Sequence, residues 1–309
     1  MCGIAGLHLR HPALYPRLGE LLGGMLSQAQ GRGNDSAGVG IYSDPASLPP
    51  GQATVCVLNA GAPPSEIGRR LAAQDPPPSA IEVKAAGQTT VIRAAAEPSA
   101  LEAAVREALP QATVISRGRA LTVYKGAGEP EALARDWSLD SLGGWQGVAH
   151  TRMATESAVT PGGSHPFSVG QDQCMVHNGS FSNHASIRQR LMADAVRFDS
   201  ENDTEVAARY IAQQLAAGAS VKEALARLCA RFDGFYTLLV SSATSFAIVR
   251  DAIACKPAVV AETPDLVAVA SEYRYLAGLP GIDQARIFEP DPEVVYAWDR
   301  ASLPVPQLV

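Results

Sequence analysis

The sequence predicts an α+β fold built on antiparallel sheets, and three observations carry that expectation. Four apolar, strand-like runs, FYTLLV (235–240), SFAIVR (245–250), PAVVA (257–261) and LVAVAS (266–271), follow one another at hairpin-length spacing, the usual linkage of antiparallel strands. Helical and strand-like segments do not alternate strictly along the chain, which disfavours a doubly wound parallel sheet. Finally, 309 residues with 47% apolar side chains can bury a full core and suit one large domain or a domain with an insertion.

The elements follow in order. Ile4–Leu9 is an apolar strand, and Leu18, Leu21, Leu22, Met25 and Leu26 recur at helical spacing. A glycine-punctuated stretch, RGNDSAGVGIY (32–42), leads into a second strand. Proline-rich punctuation then appears in DPASLPPG (44–51) and QDPPPS (74–79). Around it lie a strand at Thr54–Leu58, a helix near Ser65–Ala73, strand TTVIR (89–93), helix Ser99–Leu109 and strands ATVIS (112–116) and ALTVYKG (120–126). Residues 45–145 therefore read as an inserted α+β module within a domain spanning 2–309. Beyond it come GVAHTRMA (147–154), CMVHNGSF (174–181) and an amphipathic helix at about 204–216.

Composition narrows the function. With 25 basic and 31 acidic side chains the net charge is −6. No basic stripe suggests nucleic acid, and no cationic block suggests an anionic membrane. MCGIAGLHLR lacks the charged start and apolar core of a signal peptide, and no apolar window is long enough to span a bilayer. Five scattered cysteines without a CxxC argue against a disulfide framework or a zinc site and for a reducing, cytoplasmic setting.

Five short stretches carry chemistry. Cys2 is either a small apolar residue opening the first strand or, once Met1 is removed, an N-terminal residue joining a thiol to a free α-amine. In that second case the amine can take the thiol proton. In HNGSF (177–181), Asn178 and Gly179 form either a tight turn or a pair of N–H donors converging on an oxyanion. In HTRMAT (150–155), Arg152 on an otherwise neutral strand needs a partner, either an internal acid or a small carboxylate held bidentately. In ENDTEV (201–206), Asp203 is a helix N-cap or an acceptor for a substrate ammonium. RGNDSAG (32–38) places Arg32 and Gly33 where they can buttress Cys2.

MCGIAG, RGNDSAG, HTRMAT, SHPF, HNGSFSNH and ENDTEV occur in the order they take in the class II (N-terminal nucleophile) glutamine amidotransferases, which the chain resembles over about residues 2–280, the insertion apart. RDAIACKPAVV and AVASEYRYL (250–276) resemble the last sheet of that domain. The resemblance implies a four-layer αββα sandwich of the Ntn-hydrolase type. It also implies hydrolysis of L-glutamine and transfer of ammonia to an acceptor. Cys2 would attack the side-chain amide with its α-amine as base, and Asn178 and Gly179 would hold the oxyanion. Arg152 would bind the substrate carboxylate and Asp203 its ammonium, while Arg32 and Gly33 organise the nucleophile's loop. Met153 departs from the aromatic residue that relatives often carry there. His165, in SHPF, matches a family position near the glutamine loop, and a packing role suits it equally.

The tail DPEVVYAWDRASLPVPQLV has room for a strand or two, so the chain resembles a free-standing amidotransferase subunit that needs an acceptor partner. SRGRALTVYKG (116–126) looks like a stretch of the glutamate synthase amidotransferase domain. Length and insertion together are similar to the GlxB-type subunit of glutamate-synthase-like systems, including N-methylglutamate synthase. That likeness implies no metal or cofactor in this chain; any flavin (FMN) belongs to the partner. Two other readings stay open: a γ-glutamyl amide hydrolase without channelling, and a glutamine-sensing subunit without catalysis.

Overall fold

Strand β1 (Gly3–Leu9) is buried along its whole length, as a continuous apolar run requires when both faces of a sheet are covered. The computed structural model describes residues 2–44, 47–153 and 159–300. Met1, Ala154 and Thr155, and the last nine residues, to which parts of the expectations above refer, lie outside them.

After β1 come α1 (Leu18–Ala29), β2 (Ser36–Tyr42), β3 (Gln52–Leu58), α2 (Pro64–Ala72), β4 (Ser79–Ala86), β5 (Thr89–Ala95), α3 (Pro98–Ala108), β6 (Thr113–Gly118) and β7 (Leu121–Ala127). The second half runs α4 (Pro130–Asp136), β8 (Gln146–Arg152), β9 (Gln173–Phe181), α5 (His184–Ala193), α6 (Asp203–Ala216), α7 (Val221–Cys229), β10 (Gly234–Ser242), β11 (Ser245–Arg250), β12 (Val259–Glu262), β13 (Leu266–Ala270), β14 (Arg286–Phe288) and β15 (Tyr296–Asp299).

Two antiparallel sheets form the middle layers. One has the order β14-β12-β13-β1-β8-β2-β7, the other β15-β11-β10-β9. Helix α1 packs on β1 and β8 outside the first sheet, while α6 packs on β9 and α7 on β11 outside the second. The result is the αββα sandwich. Alternation along β10 shows the layering: Leu239 joins the cluster between the sheets, while Leu238 and Val240 join the cluster under the helices.

The third sheet, β4-β5-β3-β6, has its own small core of Val55, Val57, Ile92, Leu101 and Val105 beneath α2 and α3. Its other face, through Cys56, Val91 and Ile115, merges with the main core. This narrows the expected 45–145 module. The separate sheet occupies Gln52–Gly118, whereas β7 pairs with β2 in the large sheet, Gly38 opposite Lys125, and α4 packs against α1. The physical reason is burial: the first six residues of β7 are buried, which an edge of a surface module could not provide. Asp172 pins the junction, its Oδ1 accepting from the backbone N–H of Arg119, Ala120 and Leu121, each at 2.9 Å.

Candidate active site

Cys2 sits at the end of β1, where the pairing Gly3–Thr151 brings it beside the end of β8. Its carbonyl oxygen is clamped from two sides. Arg32 Nε donates to it at 2.9 Å and Asn178 Nδ2 at 3.0 Å. Arg32 is itself held by Glu272 at 2.6 Å, and Glu272 also pairs with Arg274. Ser271 Oγ takes a hydrogen bond from Ile4 N at 2.9 Å and lies 3.2 Å from Asn178 Nδ2. The backbone around Cys2 is therefore braced to three separate parts of the chain, while among the described residues Cys2 Sγ makes a weak 3.9 Å contact with the Met153 carbonyl.

The orientation of the Asn178 amide is set by a histidine. His150 Nε2 lies 3.0 Å from Asn178 Oδ1 and 3.2 Å from the His177 carbonyl. Both are acceptors, so Nε2 carries the proton and the amide turns its Nδ2 to the Cys2 carbonyl and Ser271 Oγ. A second hub is Thr204 Oγ1, which donates to Asp203 Oδ1 at 3.3 Å. It therefore accepts from His165 Nε2 at 3.0 Å and His177 Nδ1 at 2.9 Å. This assignment leaves His150 Nδ1, His165 Nδ1 and His177 Nε2 bare, and those three nitrogens have no hydrogen-bond partner. Burial reinforces neutrality. It pushes His150 down to about 3, His177 to about 4, and His165 well below the ordinary imidazole value.

Asp203 is not the N-cap. Asn202 caps α6, its side chain accepting from Thr204 N at 2.8 Å, and Asp203 is the first helical residue. Freed from capping, the Asp203 carboxylate takes Phe181 N on Oδ2 at 3.0 Å and remains partly exposed, 4.0 Å from His177. His177, held neutral by burial, brings no counter-charge to that carboxylate. Two glycines are structural requirements. Gly179 has φ +137, and a Cβ there would collide with the Phe235 carbonyl oxygen. At Gly33, a Cβ would lie 2.5 Å from the Arg152 carbonyl carbon, so only glycine lets the Arg32 loop approach β8.

Cys2, Arg32, Arg152, Asn178, Gly179 and Asp203 all line one cleft of about 1190 Å³. Gly33 is outside the lining and acts through the packing just described. Met153 is exposed at the cleft, and His165 is buried between His150 and Thr204. Ser271, Glu272, His150, His177 and Thr204 also build the site, yet none stands out in the sequence. His150, His177 and Thr204 lie inside HTRMAT, HNGSFSNH and ENDTEV, and Ser271 and Glu272 inside AVASEYRYL, and that membership is the one signal available. Among the described residues no group of three or more His, Cys, Asp or Glu side chains could hold a metal ion, and no helix is long and apolar enough to cross a membrane.

Comparison with known proteins gives a consistent picture. A family profile described as a glutamine amidotransferase domain matches residues 150–278. The glutamine amidotransferase-like protein GlxB of Rhizobium meliloti (strain 1021) is 44% identical over 303 residues, 97% of this chain and 98% of that protein. The isomerizing glutamine–fructose-6-phosphate aminotransferase of Leifsonia xyli subsp. xyli is 36% identical over 129 residues, 41% of this chain and 21% of that one. Among solved structures, the glutamine phosphoribosylpyrophosphate amidotransferase of B. subtilis superposes with a TM-score of 0.59 at 16% identity, covering 97% of this chain. The chain spans about half the length of that structure, 50%.

Proposed function

Because the chain belongs to the glutamine amidotransferase family, with the sandwich of its class II members, we propose that it hydrolyses L-glutamine at Cys2 and delivers the ammonia to an acceptor subunit. Removal of Met1 exposes the Cys2 α-amine, whose ordinary pKa near 8 suits it to take the thiol proton. The thiolate Sγ attacks the side-chain amide carbon, and the oxyanion is met by Asn178 Nδ2 and Gly179 N–H. The α-ammonium returns its proton to the departing nitrogen, the C–N bond breaks, and ammonia leaves a thioester. Water, deprotonated by the same amine, then releases glutamate and restores the thiol.

One observation carries this reading: the Asn178 amide, oriented by neutral His150, holds its Nδ2 beside Cys2, donating to the Cys2 carbonyl and to Ser271 Oγ. Preorganised donors of this kind are typically the largest electrostatic contribution to acyl transfer. Arg152 would grip the substrate carboxylate, and the charge left on Asp203 would meet the ammonium. Full-length similarity to GlxB and the stretch SRGRALTVYKG favour a glutamate-synthase-like acceptor. Any flavin would sit on that partner.

Intact-mass spectrometry after exposure to 6-diazo-5-oxonorleucine, alongside Cys2→Ala, tests the proposal. The expected result is loss of Met1 and one adduct that the variant lacks. Retention of Met1 on every molecule, or a processed chain that stays unmodified with acceptor subunit present, would sink it.

A further inference from the structure

The cleft is larger than glutamine needs. At about 1190 Å³ it exceeds the roughly 300–1,000 Å³ that typically holds a drug-sized ligand. Away from Cys2 its lining passes to Lys125 on β7, Phe167 and Ser168 before β9, and Val114 and Ile115 on β6. This end is built differently from the other.

Lys125 is 2% exposed. Its backbone is pinned by Thr89, whose hydroxyl exchanges hydrogen bonds with Lys125 N and O at 3.0 and 3.1 Å. Its ammonium lies 4.3 Å from the centre of the Phe167 ring, and Phe167 is held to Met175 by two 2.9 Å backbone hydrogen bonds. Among the described residues no carboxylate reaches Lys125 Nζ within ion-pair distance. The groups facing it are Glu205 from α6, Cys174 from β9 and His165 from the loop before β9. Glu205 is already engaged by Asp199 N, Ser200 N, Ser200 Oγ and Arg209, and burial pushes Cys174 up to about 11, keeping it a neutral thiol. Next to Phe167, the buried Ser168 Oγ has no hydrogen-bond partner either, nor has His165 Nδ1.

A buried ammonium without a counter-charge is costly, and an aromatic face compensates only in part. A ligand that brings a negative charge would complete the site, with the hydroxyl of Ser168 as a second donor and Val114, Ile115 and Phe167 as an apolar wall. We propose that this end of the cleft is a second binding site, separate from the glutamine subsite, for a small carboxylate with an apolar stem, held by Lys125. In the free protein, burial lowers Lys125 to about 7. The bound carboxylate favours the charged amine, so it raises that value, and affinity falls as pH rises past 7 and the proton is lost.

The test is nuclear magnetic resonance of protein labelled with 13Cε-lysine, with benzoate as the probe. The chain has only four lysines, and Lys125→Met identifies the signal while keeping an apolar stem over Phe167. Benzoate should raise the Lys125 titration midpoint by about one pH unit or more, as an opposite charge at 4–6 Å does, and leave the other three unchanged. Its Kd should weaken as pH rises from 7 to the raised midpoint, by about tenfold in all for each unit of that shift, and at least about tenfold in Lys125→Met. The melting temperature of the variant reports its folding, and repeating the titration on protein alkylated at Cys2 by 6-diazo-5-oxonorleucine separates the two ends. Binding that disappears on alkylation, persists unchanged in a folded Lys125→Met, or leaves the Lys125 midpoint unmoved would overturn the proposal. So would a shift by inorganic phosphate with none by benzoate. Failure of alkylation itself would count against the glutamine reading and leave the Lys125 titration interpretable.

Discussion

The two ends of the cleft are built on opposite principles. At the Cys2 end, hydrogen bonds interlock: the Cys2 carbonyl has two donors, Asn178 is held at both atoms of its amide, and Asp203 is partnered on both oxygens. At the Lys125 end, a buried ammonium meets an aromatic ring, with an unpartnered hydroxyl in the next residue. The first arrangement is preorganised, so its donors need not move when charge develops, which is where catalytic stabilisation arises. The second leaves its polar groups to be satisfied by something that arrives. Substitutions should therefore separate the ends by kind of effect: turnover at one, ligand affinity at the other.

The largest expected effect is on turnover. Asn178→Ala removes the amide that His150 aims at Cys2, and glutaminase kcat should fall by about 10²–10³, the cost of one oxyanion donor. KM for glutamine should change little, because the donor acts on charge that develops only in the transition state. Steady-state kinetics of ammonia release checks this. If kcat held and KM rose, Asn178 would be a ground-state contact and the contrast between the ends would collapse.

A smaller effect should fall on binding. Arg152→Gln retains hydrogen-bonding capacity and loses charge, so KM for glutamine should rise by about 10- to 100-fold, the worth of a charge-assisted hydrogen bond of about 1.5–3 kcal/mol. The kcat should stay within a few-fold. The same variant measured with benzoate sharpens the comparison: affinity at the Lys125 end should be unchanged. A parallel loss of benzoate binding would merge the two ends into one site.

How much of this was legible follows from what each residue's neighbours are. The sandwich was readable because β10, β11 and β13 are mostly buried and so appear as largely apolar runs at hairpin-length spacing. Helix α7 was readable in principle from the capping box of Ser220 and Glu223, but its nine residues are short. Strand β4 alternates only weakly and sits exposed at a sheet edge, and α5 buries just Ile187 and Leu191, so neither leaves a strong pattern. At the site, Cys2, Arg152, Asn178 and Asp203 each had an ordinary alternative role and were picked out by the order of the motifs that hold them. Ser271 and His150 did not: their roles depend on contacts 93 and 28 residues away along the chain, which no local pattern records. Lys125 looked like an ordinary strand lysine, since its burial against Phe167 is a property of the packed fold.

The smallest expected effect concerns stability, and it tests whether the Cys2 end is held by neutral histidines. His150, His165 and His177 all have folded pKa values far below 6.5 because burial disfavours their charged forms. Below pH 6.5 the unfolded chain takes up protons that the folded protein refuses, so these residues destabilise the fold as pH falls toward about 3–4. Each should contribute up to about 1.4 kcal/mol per pH unit. Between pH 6.5 and 5.5 most carboxylates are still ionised, which isolates the histidine effect. His8 shifts the same way and sits on β1 away from the amide, so it adds to the slope in every variant alike. His150→Gln keeps a donor for Asn178 Oδ1 without titrating. Its urea-unfolding free energy should therefore lose about 1 kcal/mol less than wild type over that pH unit, because the unfolded histidine is only half protonated at its start, while the two curves run parallel above pH 7. A wild-type protein whose stability is flat from pH 7.5 to 5.5 would mean that the histidines gain protons within the fold, and the fixed orientation of the Asn178 amide would have to be sought elsewhere.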